Sequence, residues 1–127
     1  MGKYVDGFVL VVPADKVDEY RKQATLGRDS WMKHGALDYY ECRGDDVGKH
    51  EMGDQASRAF DEMAGTKPGE EVWFSFIVFE SKEHRDAVNA KVMEEMGKEA
   101  EKHPDSFMPV DMKRMAYGGF TVEVAAG

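Results

Sequence analysis

The sequence predicts an α+β fold with the element order β-α-β-β-α-β. Three observations carry that reading. Residues 4–12 (YVDGFVLVV) and 72–80 (VWFSFIVFE) are dense in β-branched and aromatic side chains, as strands are. Each run gives way to a stretch with a helical signature. Proline, glycine and serine stand where the period changes.

The first strand, residues 4–12, stops at Pro13. Beyond it Val17, Tyr20, Ala24, Gly27 and Trp31 recur at three- or four-residue steps among charged residues, the pattern of an amphipathic helix. His34-Gly35 closes that helix, with Gly35 suited to a left-handed cap. Residues 37–43 (LDYYECR) read as the second strand. Residues 44–69 are polar, contain several glycines and end in the turn signal Lys67-Pro68-Gly69-Glu70; a short helix is expected at about residues 55–63. Residues 72–80 form the third strand, and Ser81 is a good N-cap for a helix over residues 82–102. Pro104 and Pro109 bracket an irregular segment, and residues 114–124 (RMAYGGFTVEV) are expected as the last strand.

Short connections and right-handed crossovers turn this order into one four-stranded antiparallel sheet with both helices on one face, the ferredoxin-like arrangement. A chain of 127 residues is read as one domain, residues 1–127, able to bury a core without metals or disulfides. Its 17 Lys+Arg against 25 Asp+Glu leave a formal net charge of −8. A surface of that sign repels phosphate backbones and anionic headgroups, so neither nucleic acid nor membrane is expected as a partner. No apolar run reaches the roughly 18 residues that span a bilayer. The first residues lack the pattern of a signal peptide, and Cys42, the only cysteine, rules out an internal disulfide. Together these features predict a cytoplasmic protein.

Both faces of the first and third strands are apolar, whereas a sheet wet on one side alternates apolar and polar residues. Two helices cover one face. The set containing Gly7, Ser75 and Gly118 suits close approach of the helices, which leaves the set with Phe8, Leu10, Phe74 and Phe76 to be covered otherwise. The expected cover is the same face of a second copy, two sheets packing together as a dimeric α/β barrel. Covering by residues 44–69 of the same chain is the competing reading. Asp6, beside Phe8 and Leu10, then needs a cation, and Lys113 or Arg114 across the sheet or dimer is the expected partner. The predicted interface is thus Asp6, Phe8, Leu10, Phe74, Phe76 and Tyr117.

YVDGFVLVVP at the start, HGALDYYECRGDDV after the first helix, FSFIVFESKEHRDAVNAKVM and MPVDMKRMAYGGF resemble the YbaA-like proteins. That is a bacterial family of unknown function within the dimeric α/β-barrel superfamily. The resemblance covers most of the chain in matching order and departs over residues 49–67 (KHEMGDQASRAFDEMAGTK), where a segment with a Ser-Phe-Pro-like core is expected. It implies the ferredoxin-like fold and a face-to-face dimer, and no activity. Superfamily relatives include cofactor-independent monooxygenases, haem-degrading enzymes, dismutase-like enzymes and ligand-binding modules, an analogy of fold alone.

His34, His50, His84 and His103 fall in no HxH, HExxH or CxxC pattern, so no metal site and no cofactor are expected. His84, in the first turn after Ser81, is the candidate catalytic base or ligand, with a capping or surface role as its bland counterpart. Arg85 and Asn89 share a neighbouring stripe that can orient a carboxylate or enolate, or simply pair with Asp86 or Glu83. His34, Asp38, Glu41 and Arg114 are further charged or titratable residues near strand ends. Trp73, Ser75 and Phe79 are placed on one face with Gly7 and Gly118, where small residues beside rings leave a cavity or let a helix sit closer. The expected ligand site is Trp73, Ser75, Phe79, His84, Val88 and Asn89, holding a small apolar or aromatic molecule between sheet and helices. A cofactor-independent monooxygenase-like enzyme, and a structural dimer or protein-interaction module, are the alternatives.

Overall fold

The computed structural model describes residues 2–102 and 110–127. The chain forms β1 (Tyr4–Pro13), a 3₁₀ turn (Ala14–Lys16), α1 (Val17–Lys33), β2 (Asp38–Arg43), β3 (Glu51–Met52), β4 (Gln55–Ala56), α2 (Phe60–Ala64), β5 (Glu70–Phe79), α3 (Lys82–Lys102), a second 3₁₀ turn (Met112–Arg114) and β6 (Ala116–Thr121). Four strands make the main sheet, in the order β2-β5-β1-β6 with every pairing antiparallel. The fold is ferredoxin-like α+β.

Local chemistry explains the element ends. Gly35 takes φ 113°, which lets the chain leave α1 while the N–H groups of His34, Gly35 and Ala36 satisfy carbonyls of its last turn. Ser81 Oγ accepts the His84 N–H at the start of α3.

The sheet rests on two core clusters. Leu10, Val12 and Trp73 pack with Val17 and Tyr20 of α1 and with Val110. Ile77 and Phe79 pack with Ala36 and with Val88 and Val92 of α3. The register pairs Phe8 with Ser75 and Leu10 with Trp73, while Gly7 lies opposite both Phe76 and Gly118. This corrects the expected faces. Asp6, Phe8, Leu10 and Tyr117 lie on the helix-covered face with Trp73, Ser75 and Phe79; Phe74 and Phe76 lie on the opposite face with Gly7 and Gly118. The predicted interface set is therefore split by the sheet.

Residues 44–69 also differ from expectation. Residues 55–56 belong to the β3–β4 hairpin, and the helix is the shorter α2. This helix packs on β1 and β5, and at that end of the open sheet face Val11 and Val72 are buried. The rest stays uncovered within one chain: Phe74 is 45% exposed, Tyr40 51% and Phe120 62%. Tyr40 stacks on Phe76 with centroids 5.1 Å apart, and Phe74 adjoins Phe76 at 5.6 Å. The last strand starts later than expected because the Asp111 side chain accepts the Lys113 N–H and holds residues 112–114 in the 3₁₀ turn. The segment bracketed by Pro104 and Pro109 lies outside the described residues.

Candidate functional site

Two polar constellations lie on the helix side of the sheet. The first is closed. Asp6 projects from the middle of β1 beneath α3, and Arg85 Nη1 donates to its Oδ1 at 2.7 Å. The Tyr117 hydroxyl, on β6, donates to Asp6 Oδ2 at 3.1 Å and accepts from Arg85 Nη1 at 2.9 Å. Asn89 Nδ2 approaches Asp6 Oδ2 at 3.4 Å, and Asn89 Oδ1 accepts the Trp31 indole N–H at 2.9 Å. The guanidinium lies over the Tyr4 ring, 4.9 Å from its centroid. Burial, reinforced by the Asp6 carboxylate, raises the Tyr117 pKa, so this phenol stays protonated at neutral pH. The partner expected for Asp6 is corrected: it is Arg85 of the same chain. Arg114 instead forks onto Glu70 at 2.6 and 2.7 Å and donates to the Gly65 carbonyl.

The second constellation is open. Arg21, Ala24, Thr25 and Arg28 recur at steps of three, one and three, which puts them on one stripe of α1. Tyr39, Glu41 and Arg43 alternate along β2 onto the helix side, and Trp73 follows on β5 opposite Arg43. These two rows line a cleft of 360 Å³. Glu41 sits in it with Oε1 accepting from Tyr20 at 2.7 Å and Oε2 from Tyr39 at 2.6 Å. Burial first, and then the Glu41 carboxylate, raises the pKa of both tyrosines, so they remain donors. Arg43 forks onto Glu71 at 2.7 and 2.8 Å, while Arg21 and Arg28 pair with the exposed Asp18 and Asp29.

The predicted ligand residues are brought together, but as packing. Phe79 and Val88 are in the α3 core cluster, Trp73 in the α1 cluster, and Ser75 is buried between them on β5. His84 caps α3: its Nδ1 accepts the Glu80 N–H at 3.0 Å and its ring edge meets Phe79. That bond occupies the lone pair a base at Nδ1 would use. Only Trp73 of the six reaches the cleft.

The family model described as "Protein of unknown function (DUF1428)" matches residues 3–112. The chain belongs to this family. Its relatives include the uncharacterized protein YbaA of Escherichia coli strain K12, 43% identical over 118 residues that cover 93% of this chain and 94% of that protein. YbaA of Shigella flexneri matches to the same extent. A solved dimeric ferredoxin-like protein from an uncultured marine organism superposes with a TM-score of 0.56 at 10% identity, covering 99% of this chain and 100% of that one. The likeness establishes the fold.

In this DUF1428 protein, residue type alone points to Glu41 and Trp73 but not to the arginines and tyrosines beside them. The signal was available. Arg21 and Arg28 are seven residues apart, two helical turns, and Tyr39, Glu41 and Arg43 share a strand face. Among the described residues, no three His, Cys, Asp or Glu side chains are grouped to hold a metal ion, and no helix is long and apolar enough to cross a membrane.

Proposed function

We propose that the protein is a small-molecule-binding homodimer, each subunit taking its ligand in the cleft between α1 and β2. The observation that carries the reading is the cleft itself. It is an open groove of 360 Å³ that combines ring walls at Trp73 and Tyr39 with polar side chains from two elements. In the Asp6 network both carboxylate oxygens are already taken, by Arg85, Tyr117 and Asn89. The expected site between sheet and α3 thus moves to the other helix.

Self-association is supported by the open sheet face. Phe74, Tyr40 and Phe120 are exposed there, and covering such side chains contributes roughly 1.5–3 kcal/mol each. The matching solved protein is described as dimeric. An isologous contact brings the same aromatic row of a second copy onto this face.

Native mass spectrometry together with a ¹⁵N NMR screen of small aromatic fragments tests both parts. A dimer mass and amide shifts confined to residues 21–28 and 39–43 are expected. A monomer mass would refute the assembly. A fragment screen that leaves those amides unmoved would refute the cleft.

A further inference from the structure

We propose that the cleft selects a small aromatic acid that also carries a hydroxyl or amino donor, its carboxylate on the unused guanidinium donors of the arginines that line the cleft and its donor on Glu41. The proposal rests on the reading of the cleft as a ligand site and specifies what that site recognises.

The arginines have donors to spare. A guanidinium carries five N–H donors in a fixed fork. Arg21 uses Nη1 on Asp18, Arg28 uses Nε and Nη2 on Asp29, and Arg43 uses Nε and Nη2 on Glu71. Nε and Nη2 of Arg21, and Nη1 of both Arg28 and Arg43, have no protein acceptor among the described residues. Asp18 and Asp29 are themselves well exposed, and pairs of that kind hold their cations weakly. A carboxylate entering between the two rows can take charge-assisted, fork-like hydrogen bonds from these unused guanidinium donors.

Glu41 supplies the second half of the specificity. It is the carboxylate that lines the cleft, and an acid pressed against it without an intervening donor would be repelled. An ionised carboxylate has about four lone-pair sites, of which Tyr20 and Tyr39 occupy two. The remaining sites accept from a ligand hydroxyl or amine, so the ligand must present a donor to Glu41 and its negative charge to the arginines. Between them the walls are Ala24 and the rings of Tyr39 and Trp73, surfaces that suit a flat apolar body.

The test is calorimetric titration of the full chain with para-hydroxybenzoate, benzoate and phenol, with NMR locating each contact. Para-hydroxybenzoate is expected to bind at least about tenfold more tightly than either benzoate, which lacks the donor, or phenol, which lacks the charge. Arg28→Gln should weaken para-hydroxybenzoate by about tenfold while leaving phenol unchanged. Glu41→Gln should abolish the preference over benzoate. Equal binding of phenol and para-hydroxybenzoate in the cleft would overturn the ligand class and leave the cleft standing. Silence from all three probes, with neutral fragments still shifting the cleft amides, would do the same. Silence from every fragment would remove both readings. The ligand series on the unaltered protein decides the matter even if a variant fails to fold.

Discussion

Asp6 Oδ1 lies 2.7 Å from Arg85 Nη1, although the two residues are 79 positions apart in the chain. The Asp6 side chain is 1% exposed and the Arg85 side chain 13%. A pair so withdrawn from water is costly to break from the arginine side, because the buried Asp6 carboxylate would keep only the neutral donors Tyr117 and Asn89, whereas Arg85 without Asp6 would still hold Asp86.

Arg85→Met alone should therefore destabilise the fold by about 3 kcal/mol or more, and Asp6→Ala by less, since Arg85 keeps Asp86. The double variant should cost clearly less than the sum, since it removes both charges together. Urea denaturation of the four proteins measures the coupling. Strict additivity would mean that the contact contributes nothing as a pair.

The difficulty of foreseeing this pair shows where sequence reading stops. The strands and long helices are legible because β1 and β5 are dense in β-branched and aromatic residues, α1 carries a helical period and Ser81 marks the start of α3. The faces are not. When both sides of β1 and β5 are apolar, a period of two no longer says which side is inward, so Gly7 and Ser75 look like companions when Phe8 is the residue opposite Ser75. The sequence marks Asp6 as needing a cation, but that requirement alone does not single out Arg85. Arg85 has Asp86 next to it, which it does contact, and that local partner hides the distant one. The cleft failed to stand out for the opposite reason: its arginines have ordinary surface partners, and only the spacing of Arg21 and Arg28 sets them facing β2.

The open face gives a second prediction. Phe74 is half-exposed in the single chain, so Phe74→Glu removes little of its core. In the proposed dimer the same change buries a carboxylate against a second apolar sheet. Sedimentation of the variant should show monomers with an unchanged circular dichroism spectrum. Retention of the dimer would place the contact elsewhere.

Glu95 on α3 ties the two helices together. It accepts from Lys33 at 2.6 Å and Ser30 at 2.7 Å and lies 3.1 Å from the His34 ring. Lys33, then Ser30 and His34, hold its pKa down to about 2, against an ordinary value of 4.5. The sign follows from linkage: a lowered folded-state pKa contributes stability that is fully present above about 4.5 and is lost as pH falls from there toward 2. Glu95→Gln should lower the urea midpoint at neutral pH, and the gap from the unaltered protein should close through that acid window. A gap constant with pH would show that the charge is not what matters. Glu70, held near 2 by Arg114, keeps its own acid dependence in both proteins.

Gly119 pairs with Asp6 in the register, and a Cβ built there would run into the ring and hydroxyl of Tyr4. Tyr4 in turn carries the Arg85 guanidinium over its face, so moving the ring disturbs the group that holds Asp6. The second glycine of Tyr117-Gly118-Gly119-Phe120 is thus a space requirement of the Asp6 network. Gly119→Ala should destabilise the protein by about 1–3 kcal/mol, the usual cost of forcing a methyl group into filled space. Adding Tyr4→Leu to it should recover part of that loss, because the shorter side chain vacates the position the methyl group needs. Thermal or urea unfolding of the single and double variants checks both steps. An additive loss would show that Tyr4 is not the obstruction.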